Sequence, residues 1–370
     1  MLEAFVKTEQ TWMGNPNSAH AAGRSARAEL DRLTASIADR LQVKPSELIF
    51  TSGASESNNT AIKGIAHVAR HEGKHIITTM LEHASVSGCL TSLQERGYEI
   101  ELADIRRDGT IDLDHLRELL RPDTILVAVC AVDSELGVVQ PIQEIAAMLS
   151  AYPHCRLHVD ATQAIGKLPF SFDGIDTASI APHKFYGLNG SGLLFKREGV
   201  LLEPLIHGGV SASLYRSGTP ALGLAAATET ALRLALDKPR FSERLSRVRR
   251  LNERLRRELA ARPGVFINSP EQAVPHILNL STDRASGEAM QRALDAHGIC
   301  VSVKSACSVP KTPSKPVFAV TRNRKRALSS FRISLSHLTT DAELDAFLTA
   351  FDDCLQHADQ SGKQNTGMQS

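Results

Sequence analysis

The sequence predicts an α/β protein, in which a large domain with a doubly wound, mostly parallel sheet precedes a smaller α+β domain. Short apolar runs alternate with amphipathic stretches from Leu48 to about residue 240. Several of these runs are apolar on both faces, as strands buried between two layers of helices are. The chain has 370 residues, 42% hydrophobic and 22% charged, which suits a globular protein of two domains.

Each predicted strand of the large sheet is a run rich in Ile, Val and Leu. In order, the runs are ELIFTSG, KHIITTM, EIELADI, TILVAVCAVD, RLHVDATQ and GSGLLFK. Between the last two, a further apolar strand precedes Lys184 in SIAPHKFYG. The stretches between them have helical periodicity, and we predict helices at 56–71, 85–96 and 142–152.

The smaller domain follows a long, arginine-rich helix. Its apolar residues fall on one face and leave the arginines as a solvated face; they are Leu245, Val248, Leu251, Leu255 and Leu259. Strands are then predicted in AVPHILNLST, ICVSVKSAC and SSFRISLSH, and helices at 286–297 and 340–355. We therefore predict domains at 1–245 and 246–356, and a polar, disordered tail at 357–370.

Composition excludes several functional classes. The formal net charge is +1, so a dedicated nucleic-acid binder is not expected. No apolar run is long enough to cross a bilayer, and the start has no pattern of a signal peptide. The six cysteines are scattered without a CxxC pair, which favours a reduced, cytoplasmic protein.

Two motifs have an ordinary structural interpretation. HEGKH at 71–75 matches a zinc-protease pattern, but Gly73 and the strand that follows at once predict a helix-to-strand turn, and we assign no metal. The basic cluster TRNRKRA at 321–327 is interpreted as a solvated loop. The formal glycosylation sequons at Asn58 and Asn279 have no meaning in a cytoplasmic protein.

The turn FTSGASESNN leads from a strand into a helix and is a candidate anion site. Free backbone N–H groups at a helix start, here near Ala54, and the hydroxyl of Ser55 can bind a phosphate. The alternative for Ser55 is a simple N-cap.

Three residues follow strands whose carboxyl ends should form one edge of the sheet. Asp160 ends a strand that is apolar enough to be buried, so its carboxylate needs a partner such as a pyridinium nitrogen. Lys184 is a candidate Schiff-base nucleophile, because desolvation lowers the pKa of a lysine; a surface lysine is the alternative. His83 follows KHIITTM in the same way.

Further candidates lie later in the chain. A glycine-rich loop, HGGV to YRSGTP, carries Thr219. Cys307 has Ser and Lys neighbours and nearby prolines, which is typical of an exposed, reactive thiol, although a buried cysteine is the alternative. Lys304 would favour its thiolate, and Arg332 follows in SSFRISLSH.

Taken together, the motifs resemble one family. Ten motifs occur in one order from about residue 14 to 355: GNPNSAH, FTSGASESNN, EHASV, ELGVVQPI, HVDATQAIGK, PHKFYG, HGG, RSGT, SAC and SSFRISLSHLTT. This set closely resembles the cysteine desulfurases, which are fold-type I pyridoxal-phosphate enzymes of the class V aminotransferase group. The resemblance implies an enzyme that removes sulfur from L-cysteine, giving L-alanine and a persulfide on the enzyme.

The resemblance also implies roles for individual residues. Lys184 would hold pyridoxal phosphate covalently, and Asp160 would pair with the ring nitrogen. His83 would stack on the ring and move protons, and Gln163 would hydrogen-bond the phenolic oxygen. The phosphate would be held by Ala54, Ser55, His183 and, from a neighbouring subunit, Thr219, which implies a homodimer.

On the substrate side, the resemblance assigns Arg332 to the cysteine carboxylate, Ser134 to a substrate-contacting position and Cys307 to attack on the sulfur. The interval from Cys307 to Arg332 resembles the longer-loop class, whose members pass sulfur to scaffold or carrier proteins. The implied acceptor is an iron–sulfur scaffold or a tRNA-thiolation carrier. Neither direct nucleic-acid binding nor membrane attachment is expected.

The chain departs from the family pattern in four places. The opening DNAATT motif is missing, which we interpret as a truncated or misassigned start. Ser134 replaces Asn, Ala181 replaces Ser, and Lys304 replaces Gly before SAC. The first two replacements each remove a hydrogen bond worth about 1 kcal/mol, which predicts weaker cofactor binding and lower activity. The alternatives are a selenocysteine lyase, another class V enzyme such as an aminotransferase, and an impaired homologue that acts through partner binding.

Overall fold

A computed structural model describes residues 1–209, 211–304 and 312–366 of the chain, with side chains as far as His357. The chain forms two compact units. The first consists of Met1–Asp104, Asp112–Val132 and Pro141–Phe241. The second consists of Ile105–Ile111, Asp133–Gln140 and Ser242–Ser370. The domain boundary predicted at residue 245 stays a prediction; the second unit also takes two short segments from earlier in the chain.

The first unit is built on a seven-stranded sheet. Its strands are β1 (Leu48–Thr51), β2 (His75–Thr78), β3 (Glu99–Leu102), β4 (Thr124–Cys130), β5 (Arg156–Asp160), β6 (Thr177–Ile180) and β7 (Gly192–Lys196). Their spatial order is β1-β7-β6-β5-β4-β2-β3. The pairs from β6 through β5, β4 and β2 to β3 are parallel, and only β7 is antiparallel to its neighbours. The predicted doubly wound, mostly parallel sheet is confirmed.

Helices flank this sheet. They are α1 (Leu2–Thr11), α2 (Ala21–Leu41), α3 (Ala54–Val68), α4 (Ala84–Gln94), α5 (Leu113–Leu119), α6 (Ile142–Leu149) and α7 (Leu222–Ala235). α3 buries Ala61, Ile62 and Ile65 in a core that also contains Ile76 and Leu126 of the sheet. The apolar face of α3 therefore holds the helix against the sheet and fixes where its first turn lies.

The second unit contains a three-stranded antiparallel sheet with helices packed on it. Its strands are β8 (Val265–Ile267), β9 (Ile277–Thr282) and β10 (Ser330–Ser334), in the order β10-β9-β8. Its helices are α8 (Lys238–Ala260), α9 (Gly287–Ala296), α10 (Lys315–Thr321), α11 (Arg324–Ser329) and α12 (Asp341–Thr366).

The arginine-rich helix is α8, and its predicted apolar face is mostly correct. Val248, Leu251, Leu255 and Leu259 are buried, whereas Leu245 is half-buried. Most arginines of the other face are exposed, as predicted. Two of its guanidinium groups, those of Arg250 and Arg254, form ion pairs with Asp341 at the start of α12, which places negative charge where an N-terminus favours it.

Three expectations for the second unit need correction. Residues 299–304 form no strand and make a single β-bridge at Ser302. The cluster at 321–327 is not a solvated loop, because Asn323 caps α11 and the Arg326 guanidinium donates to Asn268 Oδ1. The polar tail continues α12 as far as Thr366, since adding residues to a formed helix costs little.

The HEGKH motif forms the predicted helix-to-strand turn. A 3₁₀ turn ends at His71 and β2 begins at His75. The buried His75 ring contacts Thr124 Oγ1 at 2.7 Å and Glu101 Oε2 at 3.0 Å. Both ring nitrogens thus have partners within the fold. In the described part of the chain, no helix is long and apolar enough to cross a membrane.

Candidate functional site

The topology of the sheet brings three predicted site residues to one edge. β2, β5 and β6 belong to the parallel part of the sheet, so their carboxyl ends lie on the same side. Asp160 is the last residue of β5, while His83 follows β2 and Lys184 follows β6. This edge is where open α/β sheets bind their ligands.

Asp160 is buried, with 6% of its surface exposed. Its Oδ1 accepts a hydrogen bond from the backbone N–H of Thr162 at 3.0 Å, and its Oδ2 accepts one from Asn58 Nδ2 at 3.0 Å. Both donors are neutral. They stabilise the carboxylate without neutralising it, so the charge remains available to a cationic partner.

Lys184 lies in a 3₁₀ turn over Pro182–Phe185 and is exposed, which is the surface position that the sequence left open as the alternative. The turn buries Pro182 and Phe185 and therefore leaves the two residues between them, His183 and Lys184, on the outside. Partial burial and the positive charges of Lys184 and Lys167 lower the pKa of His183. Its imidazole is accordingly neutral near pH 7 and can donate one N–H.

His83 is the N-cap of α4. Its Nδ1 accepts from the Ser85 backbone N–H at 3.2 Å and lies 2.9 Å from Ser85 Oγ. In the neutral ring, this arrangement assigns the proton to Nε2. The tautomer and the orientation of the ring are therefore set by α4 itself.

Gln163 is buried near Asp160 in the chain, and Lys167 Nζ donates to its Oε1. The carbonyl end of this amide is therefore occupied by a lysine. The Nε2 group is left as the end that can donate to an acceptor atom of a ligand.

The first turn of α3 has the form expected of an anion site. Gly53 occupies the N-cap position and no side chain caps the helix, so Ser55 is not the N-cap. Ser55 itself is exposed. The N–H groups of the first turn, from Ala54 onward, can bind an anion here.

Glu56 in the same turn is occupied within the fold. Its Oε2 accepts from the Ser52 N–H at 2.7 Å, and its Oε1 accepts from Arg216 Nε at 3.0 Å. Burial raises the pKa of Glu56, but the hydrogen bonds from Ser52 and Arg216 outweigh it and hold the pKa below its usual value. The guanidinium of Arg216 thereby offsets a carboxylate beside the anion site.

Thr219 lies in the glycine-rich loop, where its Oγ1 accepts from Asn15 Nδ2 at 3.3 Å. Ser211 of the same loop accepts from Asn17 Nδ2 at 3.2 Å. The loop and β1 line a cavity of about 650 Å³ that contains Ser52, Arg216 and Thr219. Asp160, His83 and Lys184 are not among the residues that line this cavity.

In the second unit, Arg332 on β10 forms a buried charge cluster with the segment 133–140. Its Nη1 donates to the Ser134 carbonyl, and its Nε is buried without a partner among the described residues. Burial lowers the pKa of Arg332, while the negative charges of Glu135 and Asp133 act to raise it. The guanidinium remains charged even when buried. The structure thus places the Ser134 main chain, and not its hydroxyl, against Arg332.

Asp133 is fully buried in that cluster. Its Oδ2 accepts from the Glu135 N–H at 3.2 Å and from the Leu136 N–H, while Oδ1 has no partner among the described residues. Burial and the charge of Glu135 raise the pKa of Asp133 to about 7, although the two backbone hydrogen bonds and Arg332 act in the opposite direction. Glu135 Oε2 in turn accepts from the Ser314 hydroxyl at 2.6 Å.

Cys307 lies outside the described residues, and so its predicted reactivity is not tested. Lys304, which precedes it, has φ +81°, a backbone region that glycine adopts without strain. The family that the sequence resembles usually has glycine at this position, and the positive φ explains why. Lys304 Nζ donates to the Thr312 carbonyl at 2.8 Å, so its amine is bound within the fold.

Sequence reasoning missed the polar residues behind Asp160, above all Asn58 and His158. In the sequence, Asn58 stands out only as part of a formal sequon. One signal was available: His158 and Asp160 alternate on β5 with the period of two that places side chains on one face of a strand. Polar residues on a buried face require partners from the helix that covers it.

Comparison with known proteins decides the family. The aminotransferase class-V family model matches residues 1–347. The chain belongs to this family. A NifS/IcsS protein homolog of Lactobacillus delbrueckii subsp. bulgaricus is 37% identical over 96% of this chain and 94% of the relative. The cysteine desulfurase IscS of Dictyoglomus turgidum is 36% identical over 93% of this chain and 87% of the relative.

Solved structures agree with the sequence relatives. A NifS-like protein superposes with a TM-score of 0.90 at 32% identity, over 96% of this chain and 95% of that one. SspA, solved in complex with cysteine, superposes with a TM-score of 0.79 at 30% identity, over 92% of this chain and 95% of that one. The predicted resemblance to the cysteine desulfurases and the fold-type I architecture are confirmed.

The class V family implies pyridoxal phosphate, and the residues at the sheet edge fit it. Asp160 is a buried carboxylate held by neutral donors, which suits a cationic ring nitrogen. The uncapped start of α3 suits a phosphate, and the amine of Lys184 is exposed at the same sheet edge. Thr162 Oγ1, next to Asp160, is buried without a partner among the described residues.

Proposed function

We propose that this protein is a cysteine desulfurase that takes sulfur from L-cysteine with pyridoxal phosphate, leaving L-alanine and a persulfide on Cys307. The observation that carries the proposal is that Asp160 ends β5, while His83 and Lys184 follow β2 and β6, all at the carboxyl edge of the parallel strands. Relatives that are named cysteine desulfurases and cover nearly the whole chain support it.

Within the first unit, we assign the cofactor contacts as follows. Lys184 is the point of covalent attachment, Asp160 pairs with the ring nitrogen, and Gln163 donates from Nε2 to the phenolic oxygen. When bound, pyridoxal phosphate supplies an electron sink for cleavage of the carbon–sulfur bond. His83, with its proton on Nε2, lies against the ring and moves protons there.

The phosphate is assigned to the start of α3. The N–H groups at Ala54 and Ser55, together with the neutral His183, donate to it. Thr219 would reach the phosphate of a neighbouring subunit, as in the family that the sequence resembles. The active form proposed here is therefore a homodimer.

On the substrate side, Arg332 is the proposed clamp for the cysteine carboxylate. Its buried Nε lacks a partner among the described residues, and an unsatisfied charged donor costs free energy that a carboxylate would recover. The Ser134 carbonyl holds the other side of the guanidinium, so the donors that remain are oriented before substrate arrives.

The sulfur step balances without an added oxidant. The Cys307 thiolate forms a bond to the substrate sulfur while the carbon–sulfur bond breaks, so that cysteine and an enzyme thiol become alanine and an enzyme persulfide. A thiolate is the soft nucleophile available near neutral pH. We propose that the persulfide passes to an acceptor protein in the cytoplasm, either an iron–sulfur scaffold or a tRNA-thiolation carrier.

The test uses the full chain incubated with pyridoxal phosphate, L-cysteine and a thiol reductant, with alanine and sulfide measured together. We expect equal amounts of both products. Cys307→Ser should retain the visible absorbance of the bound cofactor and lose sulfide release, whereas Cys300→Ser, a control at an exposed cysteine, should change neither. Alanine with L-selenocysteine but not with L-cysteine would favour the lyase alternative. Absence of product from both would favour an impaired homologue.

A further inference from the structure

Asn58 on α3 is buried completely, and its side-chain amide makes four hydrogen bonds. Nδ2 donates to Asp160 Oδ2 at 3.0 Å and to Ser85 Oγ at 2.8 Å. Oδ1 accepts from His158 Nε2 at 2.9 Å and from the Ser179 hydroxyl. Two donors and two acceptor lone pairs are the full capacity of an amide, so this side chain is saturated.

The partners of Asn58 fix the orientation of its amide. Burial lowers the pKa of His158, so the ring is neutral and one nitrogen carries the proton. Because Nε2 faces the Asn58 oxygen, Nε2 is the donor and Nδ1 accepts from the Thr177 hydroxyl at 2.9 Å. A reversed amide would put Oδ1 against the Asp160 carboxylate, an acceptor against an acceptor, which excludes that orientation.

Asn58 also reaches His83. Ser85 Oγ accepts from Asn58 Nδ2, and its hydroxyl proton is thereby directed to His83 Nδ1, 2.9 Å away. One amide is thus in contact with the carboxylate assigned to the ring nitrogen and, through a single hydroxyl, with the imidazole assigned to the ring face. Cooperative polarisation along such chains strengthens each bond.

We propose that Asn58 is a positioning residue of the cofactor site, which aims the Asp160 carboxylate and, through Ser85, the His83 ring at the same bound group. The inference rests on the proposed function. It follows that Asn58 acts on the cofactor only through these two residues. His158 behind it donates to Asn58 as a neutral ring, so it does not neutralise Asp160, whose charge can pair with the ring nitrogen.

The test compares Asn58→Asp and Asn58→Leu with the wild-type chain, each loaded with pyridoxal phosphate labelled with ¹⁵N in the ring. Asn58→Leu removes both donors without adding a charge. Asn58→Asp keeps the shape and the acceptors for His158 and Ser179, but it puts a second carboxyl group about 3.0 Å from Asp160. Two carboxyl groups this close share one proton, which leaves less of the Asp160 charge for the ring nitrogen. We expect the ¹⁵N resonance to move toward that of a neutral pyridine. We also expect kcat to fall about tenfold to a hundredfold, the size of a lost hydrogen bond to a charged group, with KM for cysteine unchanged.

Two controls separate positioning from simple damage. Asn252→Leu removes another buried asparagine, on α8, which donates to the Pro275 carbonyl; it should lower stability and leave the ¹⁵N resonance unchanged. In an Asp160→Asn background, Asn58→Asp should shift the resonance no further, because the residue through which it acts has lost its charge.

The outcomes are distinct. If the wild-type chain takes up no pyridoxal phosphate, the proposed function fails, and this inference with it. If the wild type takes it up and Asn58→Asp leaves both the resonance and kcat at the wild-type values, the inference alone is overturned. Additive effects of Asn58→Asp and Asp160→Asn would overturn it as well, since a positioning residue cannot act without its target.

Discussion

Ser302 and Arg332 pair through two backbone hydrogen bonds: the Ser302 N–H donates to the Arg332 carbonyl at 3.1 Å, and the Arg332 N–H donates to the Ser302 carbonyl at 2.6 Å. β10 is an edge strand of its sheet, so this bridge attaches the segment that precedes Cys307 to the strand carrying the proposed carboxylate clamp. Both backbone hydrogen-bonding groups of Arg332 are thereby satisfied by Ser302, while on its other side Arg332 lies opposite Asn279 of β9.

Arg332→Lys is expected to raise KM for L-cysteine about tenfold to a hundredfold with a smaller change in kcat. A lysine retains the charge but cannot hold a carboxylate and the Ser134 carbonyl in one planar arrangement. Steady-state kinetics of alanine formation measures both constants. Arg250→Lys, at an exposed arginine on α8, is the control and should leave KM unchanged. An unaltered KM in Arg332→Lys would remove this residue from substrate binding.

Lys184→Ala is expected to abolish covalent retention of pyridoxal phosphate and to leave the fold intact. Because Lys184 is exposed, its loss should change the free energy of unfolding by no more than about 0.5 kcal/mol. Borohydride reduction followed by peptide mass analysis locates the attached group. Lys7→Ala, at an exposed lysine of α1, should retain it. Attachment to any other lysine in the wild type would contradict the assignment.

Asp133→Asn is expected to make stability less dependent on pH. The pKa of Asp133 is about 7 in the folded chain and about 3.9 in an unfolded one. Between these values the folded protein holds a proton that the unfolded chain has lost, so the contribution of this group to stability is full below about pH 4 and is lost as the pH rises through 7, by about 1.4 kcal/mol per pH unit.

The variant has no proton to lose, and its amide oxygen still accepts from the Glu135 and Leu136 N–H groups. Denaturant unfolding at pH 5 and pH 8 should therefore show that the free energy of unfolding of Asp133→Asn rises relative to that of the wild type as the pH rises. Asp295→Asn, at an exposed position of α9, should follow the wild type at both values. A constant difference between Asp133→Asn and the wild type would show that Asp133 titrates normally.

Gly192→Ala is expected to lower the free energy of unfolding by about 1–3 kcal/mol, the usual effect of overpacking. A Cβ at Gly192 would lie 2.5 Å from Gly53 Cα and 2.5 Å from Thr51 Oγ1. Since Gly53 begins α3, the affinity for pyridoxal phosphate should fall too. Thermal unfolding and cofactor titration measure the two effects.

The control for Gly192→Ala is Gly88→Ala, because an added Cβ there meets nothing within 4 Å and the residue lies inside α4. That variant should be more stable than the wild type by up to about 1 kcal/mol, as alanine favours helix. Equal effects of the two substitutions would show that the close approach at Gly192 relaxes without loss.

Most of the sheet was predictable because its strands carry a strong local signal. All seven residues of β4 are buried, and TILVAVC is β-branched or apolar nearly throughout. Residues 299–304 carry a similar signal and yet form only the Ser302 bridge. The difference lies in partners: β4 has β2 and β5 on its two sides, whereas no propensity in ICVSVK specifies which strand it can pair with.

The site was predictable to the extent that it depends on motif order. Asp160 and His83 lie where the parallel topology requires, at strand ends. For Lys184 the sequence left a desolvated and a surface position open, and the lysine is exposed because burial of Pro182 and Phe185 decides the direction of the turn. The sequence predicts Arg326 in a solvated loop, whereas its guanidinium contacts Asn268, the residue after β8, which is 58 positions away in the chain.

The sequence by itself determined the alternation of strands and helices, the family and the residue types of the site, because periodicity and motif order are properties of neighbouring residues. Only the tertiary structure decided which amide holds Asp160, which backbone carbonyl holds Arg332 and which carboxyl group titrates near pH 7. Asn58 and Asp160 are 102 residues apart, and Arg332 and Ser134 are 198 apart. Hydrogen bonds and desolvation depend on distances of a few ångströms in space, and packing of the folded chain sets those distances.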